Sequence, residues 1–238
     1  MLNENTFSEK SWAEAIGLLK TEFPAAIWDT LYITLLSTLI AAAIALPLGM
    51  ILAAGDKKLG VLRVPQPVLK VLGFLINVLR SIPFLILLII VLPLARLLIG
   101  TAVGNNSFVV SLVIAAFPFI TRLFEASFRG VDPGVIEASQ SMGASPFQIV
   151  TKVMLREAFP SLLSDLTIAV TTVLGYTAMS GAVGGTGLGM IAITYGYNRY
   201  RFLVMYFAVI VLIVLVQLFQ SVGSALSKKA DKRRKGNS

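Results

Sequence analysis

The chain has 238 residues, of which 56% are hydrophobic and 13% charged, with a mean hydropathy of +0.84 that excludes a soluble domain with a solvated surface. It has no cysteine and no histidine, which removes disulfides, thiolate nucleophiles, lipid-modified cysteines, the usual zinc sites and histidine-based triads. The formal net charge of +8 sits in basic residues beside apolar stretches, a pattern of membrane orientation and not of nucleic-acid binding.

Met1 to Asp29 carries five acids against Lys10 and Lys20, unlike the basic start of a secretory signal or an arginine-rich transit peptide. Ser11 with Glu14 can cap a short helix that puts Trp12, Ile16, Leu19 and Phe23 on one side, as in a segment lying flat at the interface. A frayed polar tail is the alternative. Residues 1–27 are therefore set apart from a transmembrane domain at 28–226 and a basic tail at 227–238.

Five long segments are free or nearly free of charge: Thr30 to Gly55, Val71 to Ala95 with Arg80 inside, Leu97 to Thr121, Leu166 to Asn198 and Phe202 to Ser227. Since roughly 20 apolar residues cross the hydrocarbon core, each predicts one span, and the fourth has residues left for a loop. Ser81-Ile82-Pro83 and Pro93 interrupt the second span and Pro118 the third. Such breaks line pathways in some membrane proteins and only bend helices in others. Arg80 and the pair Arg122 and Glu125 lie near span ends, where they snorkel or bridge helices.

Between the third and fourth spans lies a polar stretch, residues 131–160. Asp132 and Pro133 start a helix that runs to Met142, Gly143 ends it, and Ser145-Pro146-Phe147-Gln148 offers a capping box for a second helix running to about Ala158. In that second helix Phe147, Val150 and Met154 fall on one face, leaving Gln148, Lys152 and Arg156 for water or a partner. Composition alone gives an amphipathic connector.

Basic residues orient the spans. Lys57, Lys58, Arg63 and Lys70 follow the first, Arg129, Lys152 and Arg156 follow the third, and six more lie between Lys228 and Lys235. These regions alternate to share one face, so the 131–160 loop and the C-terminus are expected in the cytoplasm and the N-terminus outside.

Gly175 through Gly189 holds six glycines in fifteen residues. In apolar surroundings this predicts close packing through Gly185-x-x-x-Gly189 and a re-entrant turn at the outer mouth. It does not fit phosphate binding, and no Walker-type motif occurs, so any ATP hydrolysis belongs to another chain.

Glu137-Ala138-Ser139, Gly143, Val153 and Leu155 resemble the EAA loop of ABC-importer permeases. Ser139 replaces the second alanine, and Arg156 stands where the closing proline is expected. With Asn77 to Phe84, Ala116 to Ile120 and Gly175 to Gly189 the resemblance covers nearly the whole chain from Trp28, most closely to the methionine-importer branch of the family. It implies an all-α, polytopic membrane fold of five helices with a cytoplasmic two-helix coupling loop in the bacterial inner membrane. It further implies a homodimer in membrane lipid, two ABC ATPase subunits that hold ATP and magnesium, and an extracytoplasmic substrate-binding lipoprotein, with no cofactor on this chain. The coupling residues are then Glu137, Ala138, Ser139, Gly143, Phe147, Val153 and Leu155.

A gate lined by spans two to four takes Met179 as candidate constriction, because a flexible thioether from each subunit can part without breaking polar contacts; the alternative is that Met179 only packs. Pro83, Pro118 and Tyr176 complete the candidate pathway. The alternatives in function are a permease for another amino acid or a sulfur compound, and an ATPase-independent channel or scaffold.

Overall fold

The computed structural model describes residues 8–56, 59–182 and 184–231, and among these every regular element is helical. Lys57, Lys58 and the basic residues from Lys232 onward, used above to orient the chain, lie outside the described residues. The order is α1 (Glu9–Thr21), α2 (Phe23–Ala54), α3 (Gln66–Ser81), α4 (Phe84–Ile99), α5 (Asn105–Arg129), α6 (Pro133–Ser141) and α7 (Pro146–Gln148). A π-helical stretch (Ile149–Met154) joins α7 to α8 (Leu155–Thr177); after a 3₁₀ turn (Ser180–Ala182), α9 (Leu188–Met190) continues as a second π-helical stretch (Ile191–Asn198), and α10 (Phe202–Ala230) ends the described chain.

Among the described residues four helices are long and apolar enough to cross a membrane: α2, α5, the continuous helix Pro146–Thr177 and α10. The bent pair α3 and α4 makes five if it counts as one span. That break falls at Ile82-Pro83, as the sequence marks it, because the residue before a proline is driven to extended backbone and Ile82 has ψ 128. Pro93, Pro118 and Pro160 behave differently. Each lies inside a helix that continues through it, so the interruptions expected at Pro93 and Pro118 do not occur. A proline removes one ladder bond, and flanking turns hold the helix together.

The third span also moves. Gly100 (φ +81) and Gly104 (φ +97) turn the chain after α4, so the helix begins at Asn105 and runs to Arg129 instead of occupying Leu97 to Thr121. Its last turns thereby include Arg122, Glu125 and Arg129, which are tolerated there because they bind one another. At the N-terminus the cap is Ser8 and not Ser11: the Ser8 hydroxyl accepts from the Ser11 N–H, placing Ser11 and Glu14 inside α1.

The chain divides into two compact units, and α2, α5, α8 and α10 each contribute residues to both. The first comprises Met1–Ser37, Phe84–Ile114 and Val170–Phe219. Its apolar cluster joins Ala15 of α1 and Phe23 and Ala26 of α2 to Leu188, Ile191, Leu203, Val204 and Ala208. α1 is therefore docked on its own subunit. The Trp12 and Phe207 rings meet edge to face at 6.0 Å, and Arg201 pairs with Glu14 at 2.7 Å, while Trp12 and Ile16 keep 43% and 45% of their surface exposed.

The second unit comprises Thr38–Pro83, Ala115–Ala169 and Gln220–Ser238. Phe128, Ile120, Ile76, Ile149 and Met154 are among its fully buried side chains. Two glycines permit its closest helix approaches: a side chain at Gly49 of α2 would stand 3.0 Å from the α5 backbone at Thr121 and Glu125, and one at Gly223 of α10 would overlap Thr167 of α8. Beside the latter crossing the Ser227 hydroxyl donates to the Pro160 carbonyl (2.8 Å).

Candidate functional site

The loop between α5 and α8 has the punctuation that its sequence specifies. Asp132 caps α6 by accepting from the Gly134 N–H (2.8 Å), Gly143 takes φ +81 just past its end, and Ser145 and Gln148 form both halves of a capping box. Nothing lies within 4 Å of a side chain built on Gly143, so glycine is required there by backbone conformation and not by crowding.

Beyond Gln148 the structure departs from the expected regular helix. The wider π-helical turn at Ile149–Met154 buries Ile149, Val150 and Met154 and leaves Phe147 with 74% of its surface exposed. Phe147 therefore does not share a face with Val150 and Met154, because the π-helical turn changes the phase of the helix between them. The helix does not stop near Ala158 but continues as α8, so the loop is mechanically continuous with a span.

Of the predicted coupling residues, Glu137, Ala138 and Phe147 are exposed, Val153 and Leu155 are half-buried, and Ser139 is buried. Ser139 keeps 6% of its surface exposed, its hydroxyl donating to the Val135 carbonyl (2.8 Å) one turn earlier in α6. The loop also exposes Met142 (80%), so that it presents two large apolar side chains, Met142 and Phe147. Where the loop leaves α5 and returns as α8, a cavity of about 350 Å³ is lined by Ser127, Gly130, Val131, Glu157 and Ser161 among others.

At the base of α5 an ionic network appears that the sequence shows only in part. Arg129 places Nε (3.1 Å) and Nη2 (2.8 Å) on Glu125 Oε1 and donates from Nη1 to Asp56 (2.6 Å). The other Glu125 oxygen takes Arg122 Nη1 (2.5 Å), and Arg122 Nη2 reaches α3 at the Gly73 carbonyl (2.8 Å) and Asn77 Oδ1 (2.9 Å). The i, i+3 spacing announces Arg122 with Glu125, and the i, i+4 spacing could have announced Arg129; nothing in the sequence points to Asp56, Gly73 or Asn77.

The candidate pathway residues fall elsewhere. Pro83 is exposed at the helix break, and Pro118 is buried within α5. Tyr176, near the end of α8, stacks on Phe84 at 4.0 Å with rings 9° from parallel, a pairing sequence reasoning missed. Met179 follows in the turn and is 41% exposed. The glycine-rich segment folds back on itself: a side chain on Gly189 would overlap the Ala178 carbonyl, and one on Gly181 would stand 2.8 Å from the Met190 backbone. Thr186 anchors this turn through Asp29 of α2 (2.7 Å) and Asn105 of α5, and Thr30 accepts from the Leu188 N–H (2.9 Å). The close approaches are thus made inside the turn, by Gly181 and Gly189, and Gly185 meets only Ser180 of the same turn.

Comparison with known proteins finds close relatives among methionine permeases. The chain is 44% identical over 208 residues to the probable D-methionine transport system permease protein MetI of Vibrio cholerae serotype O1, covering 87% of this chain and 92% of that protein. It is 40% identical to the methionine import system permease protein MetP of Bacillus subtilis over 68% of this chain and 73% of that protein. Among solved structures it superposes on a chain of the MetNI methionine ABC transporter in inward-facing conformations, with a TM-score of 0.84, 38% identity, and coverage of 87% of this chain and 95% of that one. Residues 45–232 match the family model of binding-protein-dependent transport system inner membrane components, and the chain belongs to that family.

Proposed function

We propose that this chain is the membrane-spanning subunit of an ATP-driven importer that takes methionine into the cell. The observation that carries this reading is the 44% identity to a methionine permease across 87% of the chain. The subunit works as a homodimer, since five spans hardly enclose a solute path and two copies related by a dyad form one between them. Two ATPase subunits bind ATP and magnesium on the cytoplasmic side, and a substrate-binding lipoprotein delivers methionine from outside. The N-terminus is outside and the C-terminus cytoplasmic.

Glu137, Ala138 and Phe147 face the ATPase, with Gly143 as the hinge between α6 and α7 and Val153 and Leu155 bracing the helix that returns. ATP-driven closure of the ATPase pair moves the loop, and the continuous α7–α8 helix carries that motion into the membrane. Met179 and Tyr176 beside the turn, with Pro83 and Pro118 at the bends, shape the gate.

Uptake of labelled methionine by proteoliposomes containing this chain, its ATPase and its binding protein tests the reading. ATP-dependent uptake competed by unlabelled methionine is expected. Uptake competed only by another amino acid or a sulfur compound would reassign the cargo. A chain that purifies without any ATPase would be a channel or scaffold.

A further inference from the structure

We infer that the Arg129–Glu125–Arg122 network is the link through which the loop grips α3, with Arg122 as its contact on that helix. This rests on the importer reading and names residues that set its coupling. The first observation is connectivity. Arg129 is the last residue of α5, three positions before the Asp132 cap of α6, so displacement of the loop acts on Arg129 directly. Arg129 holds Glu125 with two N–H groups and Asp56 with a third, and Glu125 passes the contact to Arg122. Arg122 ends the chain of contacts on two acceptors one helical turn apart on α3, the Gly73 carbonyl and Asn77. α3 is the helix that breaks at Ile82-Pro83, so a pull on its Gly73–Asn77 face is a pull on the segment ahead of the break.

The second observation is charge. Two guanidinium groups face two carboxylates, so the four side chains are neutral together, and Glu125, 5% exposed, is shared between both arginines. Glu125 is the buried member, and removing the arginines would leave its carboxylate without a partner in a poorly hydrated place, which ties the two arginines to it. The third observation is that Arg122 is not fully satisfied. Its Nε is buried without a hydrogen-bond partner among the described residues, while its Nη atoms use every acceptor named above. The contact between Arg122 and α3 is thus charge-assisted and specific, made to two acceptors on one face of the helix.

Asn77 is the member to change, since it accepts from Arg122 without carrying charge. In proteoliposomes holding the full complex, Asn77→Leu removes the acceptor and Asn77→Gln keeps an uncharged amide oxygen. The methionine imported per ATP hydrolysed is expected to fall about tenfold in Asn77→Leu, within the usual range of coupling between sites, and to stay near wild type in Asn77→Gln. Arg122→Lys, which retains the charge but cannot fork to Gly73 and Asn77, is expected to follow Asn77→Leu. A merely structural role would lower complex yield and thermal stability and reduce import and hydrolysis in proportion, leaving their ratio unchanged. An unchanged ratio in both Asn77→Leu and Arg122→Lys overturns the inference. Failure of the importer reading itself shows separately, as a wild-type complex that imports no methionine.

Discussion

At the scale of single residues, three positions separate conformation from contact. Gly143 has φ +81 and open space around it, so Gly143→Ala meets only the left-handed backbone cost, about 1–2 kcal/mol, whereas asparagine tolerates that region. Binding-protein-stimulated ATP hydrolysis is expected to drop in Gly143→Ala and hold in Gly143→Asn; equal values for the two would remove the hinge role. Phe147 has little buried area to lose, so Phe147→Ala is expected to leave the melting temperature of the isolated subunit unchanged. It should weaken ATPase association by about tenfold or more, as truncation of an aromatic anchor does. Loss of folding with intact association would show that Phe147 serves its own subunit. Met179→Ala is expected to raise basal uptake or leak in vesicles, and unchanged uptake and hydrolysis would count against a constriction there.

At the scale of elements, the π-helical turn at Ile149–Met154 decides which face of α7 is presented. A π-helical turn holds one residue more than an α-helical one, so deleting Thr151 restores regular α geometry and rotates α7 by about 100° relative to α8. Phe147 would then swing toward the side that Val150 and Met154 occupy. The deletion is expected to insert in the membrane with normal yield yet lose ATPase co-purification. Retained co-purification would mean that the phase of α7 is irrelevant to docking. The same element shows where sequence patterning failed. Phe147, Val150 and Met154 match a 3.6-residue period, but the period itself changes between them, and a π-helical turn has no composition of its own to announce it.

At the scale of the whole molecule, orientation is the property on which the proposed partners depend. The chain has no cysteine, so single cysteines can be introduced without background. Lys20→Cys in α1 and Ser141→Cys in α6 are both exposed positions. A membrane-impermeant thiol reagent added outside intact cells is expected to label the first and spare the second. The reverse pattern would put the loop on the outer side, beyond reach of any cytoplasmic ATPase.

Membrane residence, the number of long apolar segments, the caps at Asp132 and Ser145 and the break at Ile82-Pro83 were legible because each rests on transfer free energy or backbone preference over a few neighbouring residues. The docking of α1, the burial of Ser139 and the contacts that tie helices together were decided by tertiary structure. Arg122 meets Gly73 across 49 positions and Thr186 meets Asp29 across 157, and nothing local to either residue names its partner. A buried polar group in an apolar chain must find an acceptor, but which acceptor it finds depends on how the helices cross.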